Sequence, residues 1–134
     1  MEGHPLAGTW IVTFEDPSQP PAIGIWGADG SFVSAGNLYG VWEASGPRTA
    51  LFTWVTFFDD GSGYLVVTGT ITVDASGDEW THPYSSMKVG ADGSVTIGDS
   101  SVVHAKRLRP LPEDQIGTPI AVIPTWAPAA TPAP

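Results

Sequence analysis

Apolar and polar residues alternate with period two along most of this chain, and no stretch keeps a helical period. In the run 64–73, Leu65, Val67, Gly69, Ile71 and Val73 fall on one side; Val66, Thr68, Thr70 and Thr72 fall on the other. That is the pattern of a strand with one face turned to a core. Seven further runs behave alike. They span Gly8 to Glu15, Ala22 to Gly27, Ser31 to Gly36, Tyr39 to Ala44, Thr49 to Phe58, Glu79 to Val89, and a last one after Asp92-Gly93 that ends near Arg109. Turn chemistry separates them. Asp16-Pro17-Ser18-Gln19-Pro20-Pro21 breaks a ladder because proline has no amide to donate. Ala28-Asp29-Gly30 reads as a tight hairpin. A kink or bulge is expected at Gly98-Asp99, and Pro83 marks an edge or local irregularity in the seventh strand.

Eight short strands joined by short turns predict an all-β fold, an antiparallel up-and-down meander. Closing such a sheet into an eight-stranded barrel removes its exposed edges. At that size the interior either fills with side chains or holds one small ligand. An open two-sheet sandwich is the structural alternative.

Composition divides the chain. Residues 1–7 form a lead, 8–109 the barrel domain, and 110–134 a Pro/Ala-rich tail. More than half of the 13 prolines fall in that tail, which reads as extended linker. Ile116, Ile120, Val122, Ile123 and Trp126 are nevertheless too apolar for a solvated linker. The expectation is that Ile120 to Trp126 packs on the barrel or on a neighbouring copy, making a homo-oligomer through the tail possible.

The net charge is −9, with only Arg48, Lys88, Lys106, Arg107 and Arg109 basic. No basic stripe is present to neutralise phosphates, so neither nucleic acid nor an anionic membrane is an expected partner. The aspartates cluster in the turns, where they shape the backbone. Cysteine is absent, which excludes disulfides and thiolate chemistry. His82, His104 and Glu43 lack metal-ligand spacing, so no metal and no cofactor is expected. Scarce lysine and the Ala/Thr/Pro-rich tail tilt the compartment toward export without settling it.

Gly8-Thr9-Trp10 at the start of the first strand and Arg107 on the last resemble the calycin superfamily of lipocalins, fatty-acid-binding proteins and streptavidin-like barrels. The resemblance implies that Trp10 closes one barrel end and that Arg107 lies across its ring. The physical logic also stands alone, since a guanidinium stacks on an indole while bonding nearby carbonyls. The Thr-Asp-Tyr motif of lipocalins is missing. Ile11, Val12 and Thr13 stand where a biotin site would need polar groups.

Trp26, Trp42, Trp54 and Trp80 sit on four different strands, with Phe52 and Tyr84 near them, and are candidate walls of a pocket. His82 shares a face with Trp80 and Tyr84. The reading is carriage of a small apolar or aromatic molecule, with His82, Tyr84 or Glu43 orienting its polar group. Whether the chain is an enzyme is open. The alternative is a cofactor-independent isomerase or cyclase, with Glu43 or His82 as base and Tyr84 as acid. A third possibility is a solid barrel serving as a tail-mediated interaction module.

Overall fold

The structure is a computed structural model that describes residues 3–35 and 37–117. Eight strands follow one another: β1 Gly8–Phe14, β2 Ala22–Trp26, β3 Ser31–Ser34, β4 Leu38–Ala44, β5 Thr49–Phe57, β6 Gly63–Val73, β7 Glu79–Gly90 and β8 Val95–Arg107. Every strand pairs antiparallel with its neighbours in sequence, and β1 pairs with β8 from Trp10↔Arg107 to Phe14↔Val103. The sheet is therefore a closed up-and-down barrel and not a sandwich. One 3-10 turn, Glu113–Gln115, is the sole helical element among the described residues. The expected packing of Ile120 to Trp126 lies outside the described residues.

The turns follow from their residues. In the β2–β3 and β7–β8 hairpins the sequence Gly-Ala-Asp-Gly-Ser occurs twice, and both copies fold alike. The Gly27 amide donates to Ser31 O at 2.8 Å, as the Gly90 amide does to Ser94 O. The Asp29 and Asp92 carboxylates each accept the amide of the serine two residues on, at 2.9 Å. The serine hydroxyl first, and then that amide, hold both carboxyls below the ordinary aspartate pKa.

Two irregularities break the ladders where the sequence predicts them. Ser85 pairs with Ser100, but Met87 pairs with Ile97, so β8 carries one extra residue opposite Ser86. That is the bulge at Gly98-Asp99, and the Ser86 hydroxyl holds it by donating to Asp99 O at 2.7 Å. Between Gly69↔Tyr84 and Thr72↔Thr81 the β6–β7 ladder lapses, beside Pro83. A residue without an amide leaves its partner strand one bond short.

Alternation assigns the two faces. Trp10, Val12, Trp26, Phe32, Trp42, Phe52, Val67, Ile71, Val73, Trp80, Val103 and Ala105 point inward and are buried. The outward side chains of β2 to β6 are Ile, Val, Leu, Tyr, Phe, Thr and Ser, and Glu43 is the one charge among them. The acidic residues of Asp29, Asp59, Asp60, Asp74, Asp78 and Asp92 lie in the turns, at the barrel ends.

Candidate functional site: an aromatic cavity above a plugged floor

The barrel is closed at the end where β1 begins and β8 finishes. Trp10 is fully buried, and its indole donates from Nε1 to Leu6 O at 2.9 Å. The Arg107 guanidinium lies 4.2 Å from the Trp10 ring centroid. It bonds Gly77 O through Nε at 2.9 Å, Ala7 O through Nη1 at 3.1 Å, and Pro5 O through Nη2. One side chain thus ties the N-terminal lead, the β6–β7 turn and the indole together. Gly8 explains the first letter of its motif: its φ is +141°, and a Cβ there would sit 2.6 Å from Arg107 Nη1.

Residues before β1 complete the plug. Leu6 is fully buried. The His4 ring accepts the Leu6 amide at Nδ1 (3.1 Å), which leaves its proton on Nε2 to reach Gly46 O and Thr49 O at 3.0 and 3.1 Å. His4 also lies 5.3 Å, centroid to centroid, from the Trp42 ring. Sequence reasoning sets residues 1–7 apart as a lead but does not foresee that they plug the barrel, since no periodic pattern runs through residues 3–7.

Above the plug the interior opens into a cavity of about 650 Å³. Its mouth is at the opposite end, beside the β1–β2 and β3–β4 connections, where Gln19, Ser34 and Leu38 line it. Trp26, Phe32, Phe52 and Trp80 form the floor. Trp26 stands 4.5 Å from Phe32, 5.4 Å from Phe52 and 5.3 Å from Trp80, and Phe32 stands 4.7 Å from Phe52. Their tilted and edge-on angles are those aromatic quadrupoles prefer. His82 and Tyr84 climb the β7 wall, with ring centroids 6.0 Å apart. Trp54 lines the β5 side, and Ser86, Lys88 and Asp99 stand nearer the rim.

Of the expected pocket residues, the structure brings Trp26, Phe52, Trp54, Trp80, His82 and Tyr84 to this one cavity. Two others go elsewhere, and both are corrections. Trp42 points inward but belongs to the plug: its Nε1 donates to Gly27 O at 2.9 Å in the β2–β3 turn. Facing the axis was legible; height along it was not. Glu43 follows Trp42 on β4, so alternation turns it outward opposite Leu51, where it is exposed. It is not placed to act as base inside the barrel. His104 is likewise on the outer face, 3.5 Å from Glu15. Glu43, His82 and His104 therefore do not converge, and no metal-binding cluster occurs among the described residues.

Lys88 was overlooked, although the every-second-residue series Trp80, His82, Tyr84, Ser86 leads directly to it. Phe14, Leu65 and Val67 follow from the same parity argument on β1 and β6.

Burial leaves some polar atoms without partners. Trp26 Nε1, Trp80 Nε1 and His82 Nε2 form no hydrogen bond with the described residues. Each such atom costs about 1–3 kcal/mol, so in native proteins such exceptions are few. His82 packs tightly against β6, where Gly69 makes room: a Cβ there would lie 2.7 Å from its Nε2 and 2.2 Å from Pro83 O.

Burial lowers the His82 pKa from 6.5 to about 4. The imidazole is therefore neutral at physiological pH. In the unfolded chain it takes a proton near pH 6.5 that the folded barrel refuses until about pH 4. Its contribution to stability is complete above pH 6.5 and is lost as the pH falls toward 4, at about 1.4 kcal/mol per pH unit and about 3 kcal/mol in all. Urea midpoints measured at pH 7 and pH 5 should differ accordingly, and His82→Leu should flatten the dependence in that window. An unchanged slope in the variant would assign the acid sensitivity to other groups.

The fold is an eight-stranded closed antiparallel barrel consistent with the calycin architecture, and comparison with protein-family models and with curated proteins finds no match for the chain.

Proposed function

We propose that this protein binds a small, mainly apolar or aromatic molecule in the open half of its barrel. The observation that carries the reading is the cavity itself. Its lower end is sealed by Trp10 and Arg107, yet about 650 Å³ remains free above an aromatic floor. Ligand sites commonly occupy roughly 300–1,000 Å³, with apolar walls and few polar groups. Burying aromatic surface supplies the affinity here, at about 25 cal/mol per Å² removed from water. His82 presents a neutral imidazole at depth and Tyr84 a phenol, which suit an uncharged polar group on the ligand. Lys88 and Asp99 at the rim suit a charged or solvated end.

Native mass spectrometry of freshly purified protein tests the reading without a guess at the ligand, because a co-purifying molecule adds its mass. A titration with Nile red, a neutral solvatochromic dye, provides the second readout. Blue-shifted emission that saturates at one dye per chain, with quenching of tryptophan fluorescence, is the expected result. No bound mass together with no saturable dye response would end the proposal.

The contact between His82 and Tyr84 favours one second reading, proton transfer within the same cavity. His82 would take a proton from a bound substrate and Tyr84 would return one, with Glu43 uninvolved. Turnover that His82→Ala abolishes while dye binding survives would distinguish catalysis from carriage.

A further inference from the structure

The wall of the barrel carries a second kind of surface. On the outside, Ile25 pairs with Val33, Val33 with Tyr39, Tyr39 with Val55, Val55 with Val66, and Val66 with Met87. This is one uninterrupted row of uncharged side chains crossing six strands. A second row runs beside it through Ser31, Val41, Thr53, Thr68 and Ser85. In these rows Ile25 is 46% exposed, Val33 43%, Tyr39 58% and Val41 65%, while Val55, Val66 and Met87 are half-buried; Leu51, elsewhere on the same wall, is 53% exposed. Monomeric proteins rarely leave a contiguous apolar patch of this kind open to water.

We infer that the outer wall of β2 to β6 is a surface on which two copies of this chain pack side by side. The charge distribution selects this occupant. The chain carries −9, so any face bearing its carboxylates repels an identical face. An isologous contact needs a patch that tolerates itself. The aspartates of the turns lie at the barrel ends, and the wall between them has Glu43 as its one charge. Side-by-side packing thus brings apolar rows together and keeps the acidic ends at the periphery. Apolar β-branched and aromatic side chains with a threonine surround match the make-up of the core and rim of such contacts. This inference is independent of the ligand reading, because the wall faces away from the cavity.

The experiment is the mass of the full chain in solution, by sedimentation or light scattering, from low micromolar to submillimolar concentration. The expected result is a concentration-dependent rise from the single-chain mass of 14.0 kDa toward twice that value. Val33→Lys and Val41→Lys, on different strands and both outward, should hold the chain at the single-chain mass while leaving the far-ultraviolet circular dichroism unchanged. Trp126→Asp, in the tail, should leave the dimer intact. A wild-type chain that stays at one mass throughout would overturn the proposal. So would folded lysine variants that still dimerise, or association that Trp126→Asp abolishes and the wall lysines do not touch.

Discussion

Trp10→Ala should destabilise the barrel by about 3–5 kcal/mol, the range for deleting a fully buried large aromatic side chain. For a domain of this size that is a fall in melting temperature of roughly 15–25 °C. Three losses add up at this position. The indole fills the floor of the barrel, with Trp80 edge-on at 6.0 Å. Its Nε1 bond to Leu6 O anchors the lead segment. Its face carries the Arg107 guanidinium, which without it is left half-buried against a void. Phenylalanine at this position restores the ring but not the donor, so Trp10→Phe should recover part of the loss. A melting temperature within a few degrees of wild type in Trp10→Ala would mean that the plug is not what closes this end. Differential scanning calorimetry reads the result directly.

Leu65→Trp should reduce ligand or dye affinity at least tenfold, about 1.4 kcal/mol, with little change in stability. Leu65 points inward from the upper part of β6 and lines the cavity without belonging to the buried core. An indole there projects into the free volume above the aromatic floor and occupies the place of the guest. Ser85→Trp is the matched control, because Ser85 faces outward on β7. The same ring added there should leave binding intact. Equal affinities for wild type and Leu65→Trp would locate the bound molecule elsewhere, even if the protein proved to be a carrier. Stability in both variants should stay within about 1 kcal/mol of wild type, since neither deletes core packing.

The two predictions probe the halves of one cylinder that differ in a single respect. Around Trp10 the inward residues are met by something from outside the sheet: Leu6, whose carbonyl holds the indole, and the Pro5 and Ala7 carbonyls that hold Arg107. Around Trp54 and Leu65 nothing comparable enters among the described residues. Inward-facing side chains of an eight-stranded barrel can fill it, so whether a level is solid or open depends on what the connecting segments insert. Here the lead segment inserts at one end.

Period-two alternation with turn residues at regular intervals was enough to read the strands and their inward faces, because a pleated strand imposes that spacing on local sequence. The bulge at Gly98-Asp99 and the broken ladder beside Pro83 were legible for the same reason: a missing side chain or amide acts on its own strand. Closure also followed, since a meander of eight strands has two edges to hide. What the chain could not disclose was depth. Trp42 and Trp26 obey the same alternation, yet one belongs to the plug and the other to the floor of the pocket, because position along the axis depends on strand tilt and stagger set by all eight strands together. Glu43 follows Trp42 directly and lies outside by the length of one residue. The neutrality of His82 and an outer wall with Glu43 as its one charge likewise emerge only when distant strands are brought into register, for burial and adjacency are properties of the closed sheet and not of any segment within it.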